Sequence, residues 1–154
     1  MLTPDIKKYI DQSVLCWLAT VSKDGIPNVS PKEIFTYLDE EHIGIAHIAS
    51  PNSLRNIKVN PNVCVSFIDI FVQKGYKLVG QAEIIPKTAP NFSTEAVKIL
   101  EMAGTAFPVQ ALLKIKVLST APILAPSYRM YANQTTEAGQ IENAMQAYKV
   151  KDYL

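Results

Sequence analysis

The run Val14-Leu15-Cys16-Trp17-Leu18-Ala19-Thr20-Val21, closed by Lys23-Asp24-Gly25, constrains this chain most. A nearly unbroken apolar run of that length suits a buried strand and is far too short to span a membrane. Asp-Gly is a strong hairpin signal, because glycine accepts the positive φ that a tight turn demands. The chain therefore enters an antiparallel sheet early. It resumes at Pro27 and reads as a second strand through Tyr37. Pro27 and Pro31 cannot donate ladder hydrogen bonds, so this strand is expected at an edge, bent or bulged.

The same grammar repeats downstream. His42–Ile48, Val63–Ile70, Gly75–Ile85 and Leu112–Leu118 read as four more strands. Between and around them lie helix signatures. Thr3-Pro4-Asp5 combines a capping hydroxyl, proline at the first helical position and an acid in the first turn. Ser50-Pro51 opens a short helix through Ile57, which Asn60-Pro61 ends. A helix is expected over Ser93–Ala103, with Ala96, Val97, Ile99, Leu100 and Ala103 inward and Gly104 as its stop. Another is expected over Thr135–Tyr148, with Ile141, Ala144, Met145 and Tyr148 on one face. Six short strands with helices at the edges predict a mainly β fold: a closed or partly closed antiparallel barrel with peripheral helices. Residues 1–154 read as a single domain, with 121–154 as a C-terminal arm and helix.

Charge excludes one large class of function. The formal net charge is +1, without the basic excess of an electrostatic nucleic-acid binder. Arg55 and Arg129 are the only arginines, so an anion site must use backbone amides, hydroxyls and lysine. Cys16 and Cys64 lie in apolar runs and read as buried free thiols. No C-x-x-C or His/Cys/Asp pattern suggests zinc, so no metal is expected. The first residues lack the basic and apolar regions of a signal peptide, and a cytoplasmic location without membrane association is expected.

Candidate site residues are few. Ser50-Pro51-Asn52-Ser53 opens a helix, where unpaired amides and the macrodipole favour an anion. The same residues also read as an ordinary cap. Lys32, in Ser30-Pro31-Lys32, is a lone cation in an apolar stretch: either a solvated strand residue or a partner for a ligand anion. Trp17, Tyr76 and Tyr128 are candidates for stacking on a ring, though such residues taken singly are more often core or interface residues. There is no G-x-S-x-G elbow, no G-x-G-x-x-G and no Walker loop.

The order of these pieces resembles the pyridoxamine 5′-phosphate oxidase-like family, the FMN-binding split barrels. The resemblance rests on Trp17-Leu18-Ala19-Thr20-Val21 with Asp24-Gly25 and Pro27, on Ser30-Pro31-Lys32, on Ser53-Leu54-Arg55-Asn56-Ile57 with Asn60-Pro61, and on Gly75 to Glu83. It covers about residues 5–120. It implies a six-stranded antiparallel split barrel of the FMN-binding type and a homodimer with the flavin at its interface. It implies FMN phosphate at Ser50, Asn52 and Ser53, and the ring beside Ser30, Pro31, Lys32, Ala46 and His47. Tyr76 and Lys77 would approach from the side or across the dimer.

The true oxidases of the family carry an Arg-Lys pair where Asn52 and Ser53 stand, and an arginine where Ser30 stands. They also supply a C-terminal arginine and histidine; here the C-terminal part has Arg129 and no histidine follows His47. The chain is thus similar to the small FMN-binding proteins more than to the oxidases. The resemblance implies a flavin-dependent oxidoreductase of unspecified substrate, with Lys32 raising the flavin potential. The alternatives are a non-enzymatic FMN carrier or electron-transfer protein, a barrel using a deazaflavin, one using haem with His42 or His47 as axial ligand, and a structural dimer. In the arm, Tyr128 and Arg129 either reach a substrate or pack.

Overall fold

The computed structural model describes residues 1–150. Helix α1 spans Pro4–Gln12, and Thr3 caps it by accepting from the Ile6 amide at 3.3 Å. Its apolar stripe of Ile6, Tyr9 and Ile10 is buried. Strand β1 covers Cys16–Val21; it starts after Val14, which is 80% exposed, so the apolar run overstates the strand. Gly25 takes φ 80° in the turn, as Asp-Gly demands, and β1 pairs with β2, Pro27–Lys32.

The segment expected as one strand to Tyr37 is two. After β2 the chain breaks at Glu33-Ile34 and resumes as β3, Phe35–Tyr37. Strand β3 pairs with β4, His42–His47. Helix α2 (Pro51–Val59), β5 (Asn62–Asp69) and β6 (Lys74–Pro86) follow. Then come α3 (Phe92–Glu95), α4 (Val97–Ala103), β7 (Ala111–Leu124), α5 (Ser127–Met130) and α6 (Glu137–Ala147).

The seven strands form one antiparallel sheet in the order β2-β1-β5-β6-β7-β4-β3. Strands β2 and β3 are its two edges, yet only Glu33 and Ile34 separate them. Strand spacing would put the edges of a flat sheet about 29 Å apart. Three Cα steps reach only about 11 Å. The sheet must therefore curl until its edges meet, which makes a split barrel of seven strands rather than the six expected. The extra strand is the product of that break.

Inside the curl lie Leu18, Ile43, Ile45, Val65, Phe67 and Ile115, closed by Leu2, Ile6 and Ile10 of the α1 segment and by Ile57 of α2. A second cluster packs α3 and α4, through Phe92, Ala96 and Ile99, on Ala46, Ile85 and Leu112 of the sheet's other face. The single helix expected over Ser93–Ala103 is broken at Ala96, which is fully buried. Val97 of its expected inward face is 51% exposed.

At the C-terminus, β7 runs on to Leu124, so the first residues of the expected 121–154 arm belong to the sheet. Of the inward face expected on α6, Ala144 is buried, Met145 is half-buried, and Ile141 and Tyr148 are exposed. Residues 151–154 of the arm lie outside the described residues. No helix among the described residues is long and apolar enough to cross a membrane.

Candidate functional site

Closure of the curl brings the end of β2, the end of β4 and the first turn of α2 together. Pro51 sits at N1, where its missing N–H removes nothing, and Ser50 is the N-cap. The Ser50 side chain makes no capping bond, so the Asn52 and Ser53 amides have no acceptor within the helix. Ser30 Oγ lies 3.4 Å from Ser50 Oγ, and Lys32 Nζ donates to Ser50 Oγ. The β2 edge is thus tied to the α2 N-terminus.

Two clefts meet along this seam. One, of about 270 Å³, is lined mostly by Pro31, Lys32, Ile34, Ala46, Ile48 and Phe107. The other, of about 230 Å³, is lined by Asn28, Ser30, Ser50, Asn52 and Ser53 among others. They share Pro31, Ala49 and Ser50, so they form one groove with an apolar and a polar half. The α2 helix is fixed beneath it by Asn56 Nδ2, which donates to Thr20 Oγ1 at 3.0 Å in the interior.

Two buried polar atoms at this seam have no partner among the described residues: Ser53 Oγ and His47 Nδ1. Ser53 is fully buried, and its hydroxyl stands at the third position of α2. A buried hydroxyl left unpaired costs about 1–3 kcal/mol, so a partner from a ligand is the natural complement. Lys32 is 7% exposed and forms no ion pair with any carboxylate among the described residues. Burial pulls its pKa down from 10.5. Burial, and then the nearby Lys32 charge, hold His47 below 6.5 and hence neutral near pH 7. Cys16 is the strand partner of Lys32, and burial pushes its thiol up to about 12. A buried cation without a carboxylate, beside free helix amides, makes this an anion-binding arrangement.

Seven of the ten residues singled out in the sequence line the groove: Ser30, Pro31, Lys32, Ala46, Ser50, Asn52 and Ser53. His47 is buried behind them, within reach of the Lys32 charge. Tyr76 and Lys77 lie elsewhere in the chain. Tyr76 donates its hydroxyl to Asp5 of α1 and tilts against Tyr9 with ring centroids 6.1 Å apart. The Asp5 bond, reinforced by burial, pushes the Tyr76 hydroxyl up to about 12. Lys77 is exposed on β6.

Of the other aromatics, Trp17 lines a separate apolar groove of about 410 Å³ with Val14, Leu15, Ile68, Ile70 and Phe71. Tyr128 packs: its hydroxyl donates to the Val72 carbonyl at 2.8 Å and Lys74 Nζ sits 4.6 Å from its ring centroid. Arg129 is exposed on α5. His42, at the far end of β4, holds Asp39 Oδ1 with its Nδ1 at 2.9 Å. The sequence reading missed Ile34, Ile48 and Phe107. Phe107, 54% exposed and followed by proline in the loop after α4, carried the one available signal: a large aromatic in a loop with no core period to explain it.

Comparison with known proteins returns one family model, pyridoxamine 5′-phosphate oxidase, which matches residues 2–121. No curated protein matches the chain. Among solved structures, HupZ of Group A Streptococcus superposes with a TM-score of 0.70 at 25% identity, over 81% of this chain and 96% of that one. An FMN-binding protein from Syntrophomonas wolfei subsp. wolfei superposes at 0.66 and 14%, over 79% and 85%. HutZ, the haem storage protein of Vibrio cholerae, superposes at 0.63 and 20%, over 80% and 94%. The last two likenesses are likenesses of fold.

Proposed function

The chain belongs to the pyridoxamine 5′-phosphate oxidase family, and on that premise we propose that its groove holds FMN and that the protein is an FMN-dependent oxidoreductase working as a homodimer. The observation that carries this reading is Ser53: a fully buried, unpartnered hydroxyl at the start of α2, lining the polar half of the groove. A phosphate there would accept from Ser53, from the Asn52 and Ser53 amides, and from Ser30 and Ser50. The apolar half, with Pro31, Ile34, Ala46 and Ile48, offers a flat-ring ligand a water-poor wall. The isoalloxazine ring supplies the redox chemistry when bound; the chain supplies binding, orientation and electrostatics. Dimerisation finds support in the exposed Val14, Trp17 and Ile70 around the separate apolar groove.

The second reading is an FMN carrier or electron-transfer protein. It is favoured by one observation: the carboxylate lining the apolar half is the exposed Glu33, and no other acid among the described residues lines the groove. Anaerobic mixing of the FMN-loaded protein with NADH and NADPH separates the two. The oxidoreductase reading expects rapid bleaching of the flavin band by one of them. Bleaching no faster than that of free FMN supports the carrier. A protein that takes up no FMN removes both.

A further inference from the structure

The groove's buried cation, Lys32, comes from β2 and not from α2. A cation beside free helix amides strengthens a phosphate site through charge-assisted hydrogen bonds. On α2, the cation one turn in is Arg55, but Arg55 is exposed and donates to Asn52 Oδ1. The turn itself carries only Ser50, Pro51, Asn52 and Ser53. Lys32 comes instead from the end of β2, is buried, and reaches the N-cap residue directly through Ser50 Oγ. It meets no carboxylate among the described residues.

We propose that Lys32 is the cation that pairs with the ligand's phosphate, so that a lysine on β2 makes this chain select phosphorylated flavin over the dephosphorylated form. This rests on the FMN reading above and adds a specificity determinant to it. The physical basis is the cost of the buried charge. Holding an ammonium out of water without a counter-ion is unfavourable, and a dianion at the helix start relieves it. Riboflavin presents the same ring without that dianion and leaves the ammonium uncompensated. Lys32 thereby both attracts FMN and penalises its uncharged analogue.

The test is a pair of fluorescence titrations, with FMN and with riboflavin, on the wild-type protein and on Lys32→Met, Lys32→Gln and Arg55→Met. Wild type is expected to prefer FMN by tenfold or more. Lys32→Met and Lys32→Gln are expected to weaken FMN by about tenfold to a hundredfold, the range for a hydrogen bond between charged groups. Riboflavin affinity should change by less than about threefold. Because methionine replaces an uncompensated buried charge, the ligand-free Lys32→Met protein should melt no lower than wild type, which checks folding separately. Equal weakening of both flavins by the Lys32 variants would place the lysine on the ring and overturn the proposal. Loss of the FMN preference in Arg55→Met instead would overturn it too. Wild type that binds riboflavin as well as FMN overturns the proposal but leaves flavin binding intact. Wild type that binds neither overturns the FMN reading itself.

Discussion

Lys32 Nζ donates to Ser50 Oγ, and that bond ties the last residue of the β2 edge to the cap of α2, across the seam where the sheet's curl closes. This contact holds the groove's buried cation at the helix N-terminus. Lys32 begins from a pKa below 10.5 because it is buried. A bound phosphate favours its charged form, so binding holds the proton on. As pH rises through the lowered value, the ligand-free protein loses the charge that attracts FMN. FMN affinity should therefore fall on the alkaline side earlier than an ordinary lysine would dictate. The groups facing Lys32 do not blur this: Cys16 stays protonated to about 12, and His47 is already neutral. Titrations from pH 7 to 10 check it. A flat profile would count against the assignment, and Lys32→Met should show one.

His47 contributes to the acid side of folding stability, beside Asp39 and Glu137, whose pKa values are also lowered in the fold. Its folded pKa lies below the unfolded 6.5, first through burial and then through Lys32. The unfolded chain therefore binds the proton more readily. The stability that neutral His47 contributes is present above pH 6.5 and is lost as pH falls through its lower folded value. Wild-type melting temperature should drop between pH 7 and 5 by more than that of His47→Gln. Parallel curves for the two proteins would show that His47 is not the titrating group.

Ser53 separates stability from binding. Its hydroxyl is buried without a partner among the described residues. Ser53→Ala removes an unsatisfied group, so the ligand-free protein should be unchanged or more stable, by up to about 1 kcal/mol. FMN binding should weaken by about fivefold to tenfold, for the loss of one donor to phosphate. Thermal melts and titration on the same sample read both. A destabilised protein with unaltered FMN affinity would mean that the hydroxyl has a structural partner instead.

Gly75 is required by the pairing of β5 and β6. A Cβ there would lie 2.0 Å from the Phe67 carbonyl oxygen and 2.7 Å from the Ile68 Cα. Both are backbone atoms held in the ladder, so neither can move aside cheaply. Gly75→Ala should destabilise the fold by about 2 kcal/mol or more. Denaturant unfolding gives the value, and a loss under about 0.5 kcal/mol would mean that the strands separate more easily than their register suggests.

The legible parts of this protein were those decided locally. Thr3-Pro4-Asp5 announced α1, Asp24-Gly25 announced a turn whose glycine takes φ 80°, and Ser50-Pro51 announced α2. The seam residues Ser30, Pro31, Lys32, Ala46, Ser50, Asn52 and Ser53 were named from the sequence with the help of a family resemblance, and they do line one groove. The break at Glu33-Ile34 was not legible, because both sides have strand composition. What separates them is the curl of the whole sheet, a long-range fact. The exposed face of α6 was not legible for a related reason: an apolar stripe states what a helix can bury, and of this stripe Ala144 alone is fully buried. Tyr76 was an aromatic on a promising strand, but its hydroxyl is taken by Asp5, seventy-one residues away in sequence.

Whether this groove holds FMN is read from the visible absorption spectrum of the purified protein, repeated after adding FMN and dialysing exhaustively. Oxidised-flavin bands should stay with the protein, with a markedly smaller retained fraction in Ser53→Ala and Lys32→Met. A colourless wild-type protein that retains no FMN after dialysis would contradict FMN binding.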